Sequence, residues 1–337
     1  MRTIEWKDGT VVTIDQTKLP NTIEFLNIRN CEELSSAIKE MKLRGAPLIG
    51  VAAAYGLALT AHHSEAREKE ELLRELENTA DMLRRTRPTA VNLFWAVNQV
   101  LKKAGEVEGD VKALAEVVVK EAQKMADEDV EINRGIGEHG SELIDDGDVI
   151  LTHCNAGSLA SVDYGTALGV VRTAWRQGKR IKVIATETRP KLQGTRLTAF
   201  ELKRDGVPVT LITDSTVGYA MSKGLVKKVL VGADRIVRDA VINKIGTYTI
   251  AVLAHEHGIP FYVAAPTSTF DLTHSSKEIT IEERSPEEIT TFSSQRIAPN
   301  GVSVLNPAFD ITPLEHVSAI ICETGILPTT KLKKAIR

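Results

Sequence analysis

The hydrophobic positions of this chain change their rhythm near residue 145. Before that point, apolar residues recur at helical spacing through CEELSSAIKEMKL (31–43), PLIGVAAAYGLALTAHH (47–63), SEAREKEELLRELENTADMLRR (64–85), AVNLFWAVNQVLKKA (90–104) and VKALAEVVVKEAQKMADEDVEIN (111–133). Ahead of these helices, IEWKDGTVVTI (4–14) alternates around Asp8-Gly9, a hairpin signal, and Leu19-Pro20 ends the pattern. After Asp145-Asp146-Gly147, short apolar runs take over: VILTH (149–153), IKVIATE (181–187), VPVTLIT (207–213), VKKVLVGA (226–233) and IPFYVAA (259–265). Helical stretches separate these runs, and such β-α steps predict a parallel sheet covered by helices through right-handed crossovers. TPLEHVSAIICETG (312–325) reads as a last helix packed back on that sheet.

At 337 residues the chain exceeds one ordinary compact domain, and a prior of roughly 150 residues per domain gives about two. The expected fold is α/β: an N-terminal domain (1–125) of small mixed sheet plus helical bundle, and a C-terminal Rossmann-like domain (126–337) with a parallel sheet. A helix running between the two is the expected boundary. The charge run from Glu65 to Glu71 reads as a solvated helix face.

Composition narrows the function. With 42 Lys+Arg against 45 Asp+Glu, the chain has no excess positive field for nucleic acid or anionic lipid, and 4% aromatics leave few platforms for stacking bases. Neither nucleic acid nor membrane is expected as a partner. No apolar run reaches the ~18 residues of a membrane helix, and MRTIEWKDGT lacks a basic-then-apolar leader. Cys31, Cys154 and Cys322 are an odd, widely spaced set, which suits a reducing compartment; the expected location is the cytoplasm.

Open parallel sheets bind ligands beyond the carboxyl ends of their strands. There the sequence places Cys154-Asn155-Ala156-Gly157-Ser158, then Glu187-Thr188-Arg189-Pro190 with Gln193 and Arg196, then Asp214-Ser215-Thr216. Gly232-Ala233-Asp234-Arg235 and Pro266-Thr267-Ser268-Thr269 follow the later runs, with Asn243-Lys244 read as opening the next helix. Cys154 stands apart from the other two cysteines: it lies at a strand tip, ahead of a glycine-containing turn into a helix whose NH groups can lower a thiol pKa. Cys31 and Cys322 read as packing residues on amphipathic helices. Asp234 sits beside small residues that let backbone approach a ligand. Arg44-Gly45-Ala46-Pro47 opens a long apolar helix and suits an anion, and Arg87-Pro88-Thr89 repeats an arginine and proline at a helix entrance. Together these suggest a phosphorylated ligand. Gly135 to Gly140 match GxGxxG but follow a helical run rather than a strand, so no nicotinamide cofactor is expected; the histidine pairs lack metal-ligand spacing.

On these residues the sequence resembles the methylthioribose-1-phosphate isomerase family, related to regulatory subunits of the eukaryotic translation-initiation nucleotide-exchange factor. The likeness runs through IDQTKLP (14–20), RGAPLIGVAAAYG (44–56), RPTAVNLFWA (87–96), LTHCNAGSLA (151–160), ETRPKLQGTRLTAFEL (187–202), VGADRI (231–236), NKIGTY (243–248), YVAAPTSTFDL (262–272) and NPAFDITP (306–313). The resemblance implies a homodimer that isomerises 5-methylthioribose 1-phosphate to 5-methylthioribulose 1-phosphate in methionine salvage, with no metal or cofactor. It matches the catalytic cysteine to Cys154, the acid/base aspartate to Asp234, and ligand-binding positions to Arg44, Gly45, Ala46, Arg87, Gln193, Asn243 and Lys244. The stretch RIVRDAVI (235–242) is one residue shorter than the family's usual segment there. Alternatives are another pentose phosphate as substrate (ribose 1,5-bisphosphate or 5-deoxyribose 1-phosphate), a non-catalytic regulatory subunit, or a phosphosugar-binding module without turnover.

Overall fold

The computed structural model describes residues 1–329. Strands β1 (Ile4–Lys7) and β2 (Thr10–Ile14) pair antiparallel, and β3 (Phe25–Ile28) adds to β2. Asp8 and Gly9 both take positive φ (44° and 77°), the two-residue hairpin turn their sequence predicts. Five helices follow: α1 (Cys31–Lys39), α2 (Ala46–His63), α3 (Lys69–Arg84), α4 (Val91–Gly105) and α5 (Val111–Ser141). The Asn30 side chain caps α1 by accepting from the Glu33 amide (2.8 Å), and Asp110 caps α5 through Ala113 (2.9 Å). Helix α2 is apolar on every side because α3, α4 and α5 surround it; Leu48, Leu57, Leu76, Leu83, Val100 and Leu114 form one core with it. The charge run only partly fits the helix expected for it, since α3 starts at Lys69 and Glu65 to Glu68 precede it.

The second half is a doubly wound sheet. Strands β4 (Val149–Thr152), β5 (Lys182–Thr186), β6 (Val209–Ile212) and β7 (Lys228–Val231) alternate with helices α6 (Ala167–Arg176), α7 (Ala199–Arg204) and α8 (Val217–Ser222). After β7 come the hairpin β8 (Arg235–Val237) and β9 (Ala240–Lys244), then α9 (Thr247–Glu256) and β10 (Phe261–Ala264). The short pieces β11 (Phe270–Asp271), α10 (Glu287–Thr290), β12 (Thr291–Phe292) and β13 (Gln295–Arg296) lead to β14 (Phe309–Pro313), β15 (Ala319–Cys322) and β16 (Gly325–Pro328). The main sheet runs β16-β15-β10-β7-β4-β5-β6, parallel except for β16. Alternate residues of each strand feed two cores. Leu151, Val229 and Val263 face Ala220, Ile250 and Ala254 of α8 and α9, while Ile150, Val183 and Leu230 face Leu168, Val171 and Leu202 of α6 and α7. The chain moves outward from β4 through β6, then returns to lay β7 against the other side of β4. Strand order therefore reverses between β4 and β7, the position where such sheets open a ligand crevice.

Two segments differ from the elements expected for them. RIVRDAVINK forms the hairpin β8-β9, which joins β11 and β14 in a separate four-stranded sheet, so Asn243 and Lys244 end a strand and do not open α9. The β-branched pairs Ile236-Val237 and Val241-Ile242 around Arg238-Asp239 favour that hairpin. TPLEHVSAIICETG is no helix: its AIIC run is the strand β15, buried along its whole length, and Cys322 is a sheet residue. A short unbroken apolar run has no period to separate helix from strand. The GxGxxG match lies inside α5, where a Cβ on Gly140 would collide with Val170 and one on Gly137 would meet the Thr173 hydroxyl at 2.6 Å; these glycines let α6 press against α5.

Helix α5 itself connects the two halves. Its 31 residues span ~46 Å at 1.5 Å per residue; it packs on α2 and α4, and on α6 and β15. The position between residues 125 and 126 falls inside it. Gly140→Ala is expected to destabilise the fold by ~1–3 kcal/mol through overpacking. Gly105→Ala, whose Cβ meets nothing within 4 Å, is expected to be neutral or slightly stabilising, and urea denaturation of the two variants checks both outcomes.

Candidate active site

Strand β4 ends at Thr152, and the next residues turn across the top of the sheet. Cys154 adopts φ 60°, and its amide donates to the Thr188 hydroxyl (2.9 Å) beyond the neighbouring strand β5. The loop after it is pinned by Glu201, a buried carboxylate on α7. Glu201 accepts from the Asn155 side chain (2.8 Å), the Ser158 amide and hydroxyl (2.7 Å each) and Arg172 (2.6 Å). Arg172 lowers the Glu201 pKa against the opposing pull of burial, so this carboxylate stays ionised. Gly157 is required because a Cβ there would run into the Glu201 carboxylate.

Asn155, thus held, grips Arg44. Its Oδ1 and backbone carbonyl accept from the two terminal guanidinium nitrogens at 2.5 and 2.6 Å. Arg44 is 7% exposed, and no carboxylate among the described residues lies within 4.0 Å of it. Beside it, α2 begins with Gly45 at φ 113°, where a side chain would strike the Ala160 backbone, and its first turn carries Pro47 but no side-chain cap. A buried cation without a carboxylate partner next to open helix amides has the character that suits an anion.

Opposite, Asp234 follows β7, its amide bonded to the Ile242 carbonyl (3.0 Å) so that the β8-β9 hairpin fixes it. Lys244 ends β9, donates to the Ala308 carbonyl (2.8 Å) and lies 4.8 Å from the centre of the Phe309 ring. Asn243 bonds Thr247 (3.0 Å). Arg87 faces Glu282 at 3.5 Å, but its Nε has no partner. Gln193, at the start of a π-helical turn (Gly194–Thr198), is buried with its amide oxygen unpartnered. Pro88 occupies a turn ahead of α4, whose first residue is Val91, so this entrance differs from that of α2.

Cys154, Asp234, Arg44, Gly45, Ala46, Arg87, Gln193, Asn243 and Lys244 all line one cleft at the β4/β7 crevice, enclosing about 720 Å³ including the part open to solvent. Other polar residues singled out at the strand tips point elsewhere: Arg196 donates to the carbonyls of Leu19 and Gln16, Arg235 pairs with Asp271, and Asp214 accepts the Thr188 and Arg189 amides. Sequence reasoning missed Asn155 as the holder of Arg44, and it passed over His153 and Phe309. His153 adjoins Cys154, and that adjacency was the available signal.

Burial dominates the electrostatics. Cys154, Asp234 and Lys244 keep only a little accessible surface on the cleft and lie deep among protein atoms. Desolvation pushes the Cys154 thiol up although Lys244 and Arg44 oppose it, which reverses the lowering expected from a helix terminus. No α-helix starts behind Cys154; a 3₁₀ turn (Ser158–Ala160) does. Desolvation also raises Asp234 above the usual carboxylate range against Lys244, Arg87 and Arg44, and it lowers Lys244. His153 is pushed down to about 4 by burial and is neutral at pH 7.

The fold and site thus define a doubly wound α/β protein with a cleft lined by Arg44, Arg87 and Lys244 at its switch point. The Initiation factor 2 subunit family profile matches residues 42–329. A methylthioribose-1-phosphate isomerase of Thermosipho africanus is 52% identical over 96% of this chain and 94% of its own. A 5-deoxyribose 1-phosphate isomerase of Moorella thermoacetica is 53% identical over 96% and 93%. Among solved structures, 5-methylthioribose 1-phosphate isomerase from Pyrococcus horikoshii OT3 superposes with a TM-score of 0.91 at 47% identity, covering 99% of this chain and 95% of the other. A translation initiation factor eIF-2B, subunit delta, from A. fulgidus gives 0.87 at 55% identity, covering 99% of each chain. The chain belongs to the initiation factor 2 subunit family, in the company of the methylthioribose-1-phosphate isomerases.

Because the thiolate is the reactive form, a raised thiol reacts slowly at neutral pH. Alkylation of Cys154 by iodoacetamide, followed site by site with mass spectrometry, is expected to keep accelerating at pH values where free cysteine has levelled off. A plateau below the ordinary thiol range contradicts this electrostatic picture.

Proposed function

We propose that this protein is an intramolecular oxidoreductase converting 5-methylthio-α-D-ribose 1-phosphate to 5-methylthio-D-ribulose 1-phosphate in methionine salvage. The observation that carries the reading is the convergence of Cys154 and Asp234 on one cleft beside the unpaired, buried Arg44. A 1-phosphate blocks opening of the sugar ring through a free anomeric hydroxyl, so an acid must serve the ring oxygen. Asp234, kept protonated by burial, donates its proton there as the C1–O bond breaks. Hydrogen then moves from C2 to C1, and the Asp234 carboxylate takes the proton released by the C2 hydroxyl as the ketone forms. The atoms balance without a redox partner. Cys154, held as a neutral thiol, suits a direct hydride shift in which it lies alongside the migrating hydrogen, and suits poorly a route in which it abstracts a proton. Arg44 with the α2 amides holds the phosphate, while Arg87, Gln193, Asn243 and Lys244 orient phosphate and sugar hydroxyls.

A second cavity of about 480 Å³ shares Ile49, Arg87, Asp234 and Phe309 with the cleft; Ala90, Ile242, Ile279 and Ile281 make most of its remaining wall apolar, and Arg235, Thr89 and Thr280 also line it. Its isoleucine wall suits an uncharged thioether. The 5-methyl group of 5-deoxyribose 1-phosphate also fits, and the relative of that name supports it as a second reading. The family resemblance adds a homodimer acting in the cytoplasm. A purely regulatory role in translation has no use for the buried acid, thiol and unpaired arginine.

Purified protein incubated with each of the three sugar phosphates and followed by carbon NMR is expected to give a ketose from the methylthio sugar. No product from any of them favours the regulatory or binding role. Cys154→Ala and Asp234→Asn are each expected to lower kcat by about 100-fold or more while circular dichroism stays unchanged, and near-normal turnover in both refutes the assignment. Reaction in D₂O is expected to leave C1 free of solvent deuterium; incorporation at C1 supports proton abstraction instead.

A further inference from the structure

Cys154 and Thr188 both sit in the left-handed region of backbone space, at φ 60° and 63°, on the tips of adjacent strands β4 and β5. For a β-branched residue such as Thr188 this conformation is disfavoured and must be held by its surroundings. The hold is visible: the Asp214 carboxylate accepts the amides of Thr188 (2.8 Å) and Arg189 (2.7 Å). The Thr188 hydroxyl, fully buried, then meets the Cys154 amide at 2.9 Å and the Thr186 hydroxyl at 3.1 Å. Thr186 lies 2.6 Å from His153 Nδ1, and His153 Nε2 lies 2.8 Å from the Ile245 carbonyl.

With His153 neutral, the proton positions along this chain follow from its acceptors. A carbonyl oxygen can only accept, so His153 Nε2 carries the hydrogen and Nδ1 accepts from Thr186. Thr186 uses its proton on Nδ1 and therefore accepts from Thr188. Thr188 in turn directs its proton to Thr186, whose hydroxyl (3.1 Å) and backbone carbonyl (3.4 Å) are both in reach, and receives the Cys154 amide on a lone pair. We infer that Thr188 is a positioning residue for Cys154: its hydroxyl, oriented by Thr186 and His153 and anchored through Asp214, fixes the left-handed backbone that presents the thiol to the cleft. The inference rests on the reading of Cys154 as the thiol beside the reacting carbons, but the contact itself does not.

Two nearly isosteric substitutions separate a hydrogen-bonding role from a packing role. Thr188→Val keeps the branched shape and loses the hydroxyl; kcat is expected to fall about 10- to 100-fold with KM changed less than about threefold. The rate of Cys154 alkylation is expected to shift with it. Thr188→Ser keeps the hydroxyl and is expected to recover most of both properties. Asp214→Asn, an isosteric change at a partly exposed position, loosens Thr188 from the other side and is expected to lower kcat by about 3- to 10-fold, so the test survives poor folding of Thr188→Val. The proposal is overturned if Thr188→Ser is as impaired as Thr188→Val, or if Asp214→Asn leaves both turnover and Cys154 alkylation at wild-type values. If Cys154→Ala keeps full turnover the catalytic reading fails, yet the alkylation comparison still decides whether Thr188 sets the thiol.

Discussion

Taking charge out of water is the constraint around which this protein is built. A buried guanidinium costs several kcal/mol unless partners repay it. Arg172 is repaid by Glu201 and Asp205, but Arg44 receives only the neutral oxygens of Asn155. Glu201 makes that arrangement rigid: it spends its lone pairs on Arg172, Asn155 and the Ser158 amide and hydroxyl, and so delivers Asn155 to Arg44 in one orientation. Across the cleft the same desolvation outweighs three nearby cations at Asp234 and raises the thiol of Cys154. The cleft therefore holds fixed positive charge and neutral acids, an arrangement that an anionic ligand completes.

The topology explains why these groups meet. Strand order reverses between β4 and β7, so the loops leaving their carboxyl ends diverge and leave a crevice. Cys154 comes from one lip and Asp234 from the other, while α2 of the first half closes the side with its open N-terminus. The long helix α5 couples the two halves by packing on α2 and on α6. The β8-β9 hairpin, inserted between β7 and α9, carries Asn243 and Lys244 back over the crevice and ties the Asp234 amide to Ile242.

Much of this was legible in the sequence because strand tips announce themselves. An apolar run followed by Cys154-Asn155-Ala156-Gly157, or by Gly232-Ala233-Asp234, marks a chain end exposed at a sheet edge, and Arg44-Gly45-Ala46-Pro47 marks a helix start; all three reach the cleft. The layered α/β architecture followed from the change of hydrophobic period. What was not legible depends on pairing across distance. AIIC reads equally as helix or strand until β10 is placed beside it, and RIVRDAVINK becomes a hairpin only with β11 and β14 to extend it. The direction of the Cys154 shift was misread for the same reason: local sequence suggested helix amides, whereas the depth of burial is a property of the assembled cleft. Glu201 gave no signal, and Asn155 only its place at a strand tip, because their roles lie in contacts 29 to 111 residues away.

The ionisation of Asp234 in the ligand-free protein is the most direct test of this account. Carbon NMR titration of the aspartate carboxyls, with the Asp234 resonance assigned from its loss in the Asp234→Asn protein, reads it without reference to turnover. An apparent pKa clearly above the ordinary aspartate range, about 3.9, is the predicted result. A value at or below that range means that the cations outweigh burial, and it contradicts the claim that desolvation holds this group as an acid.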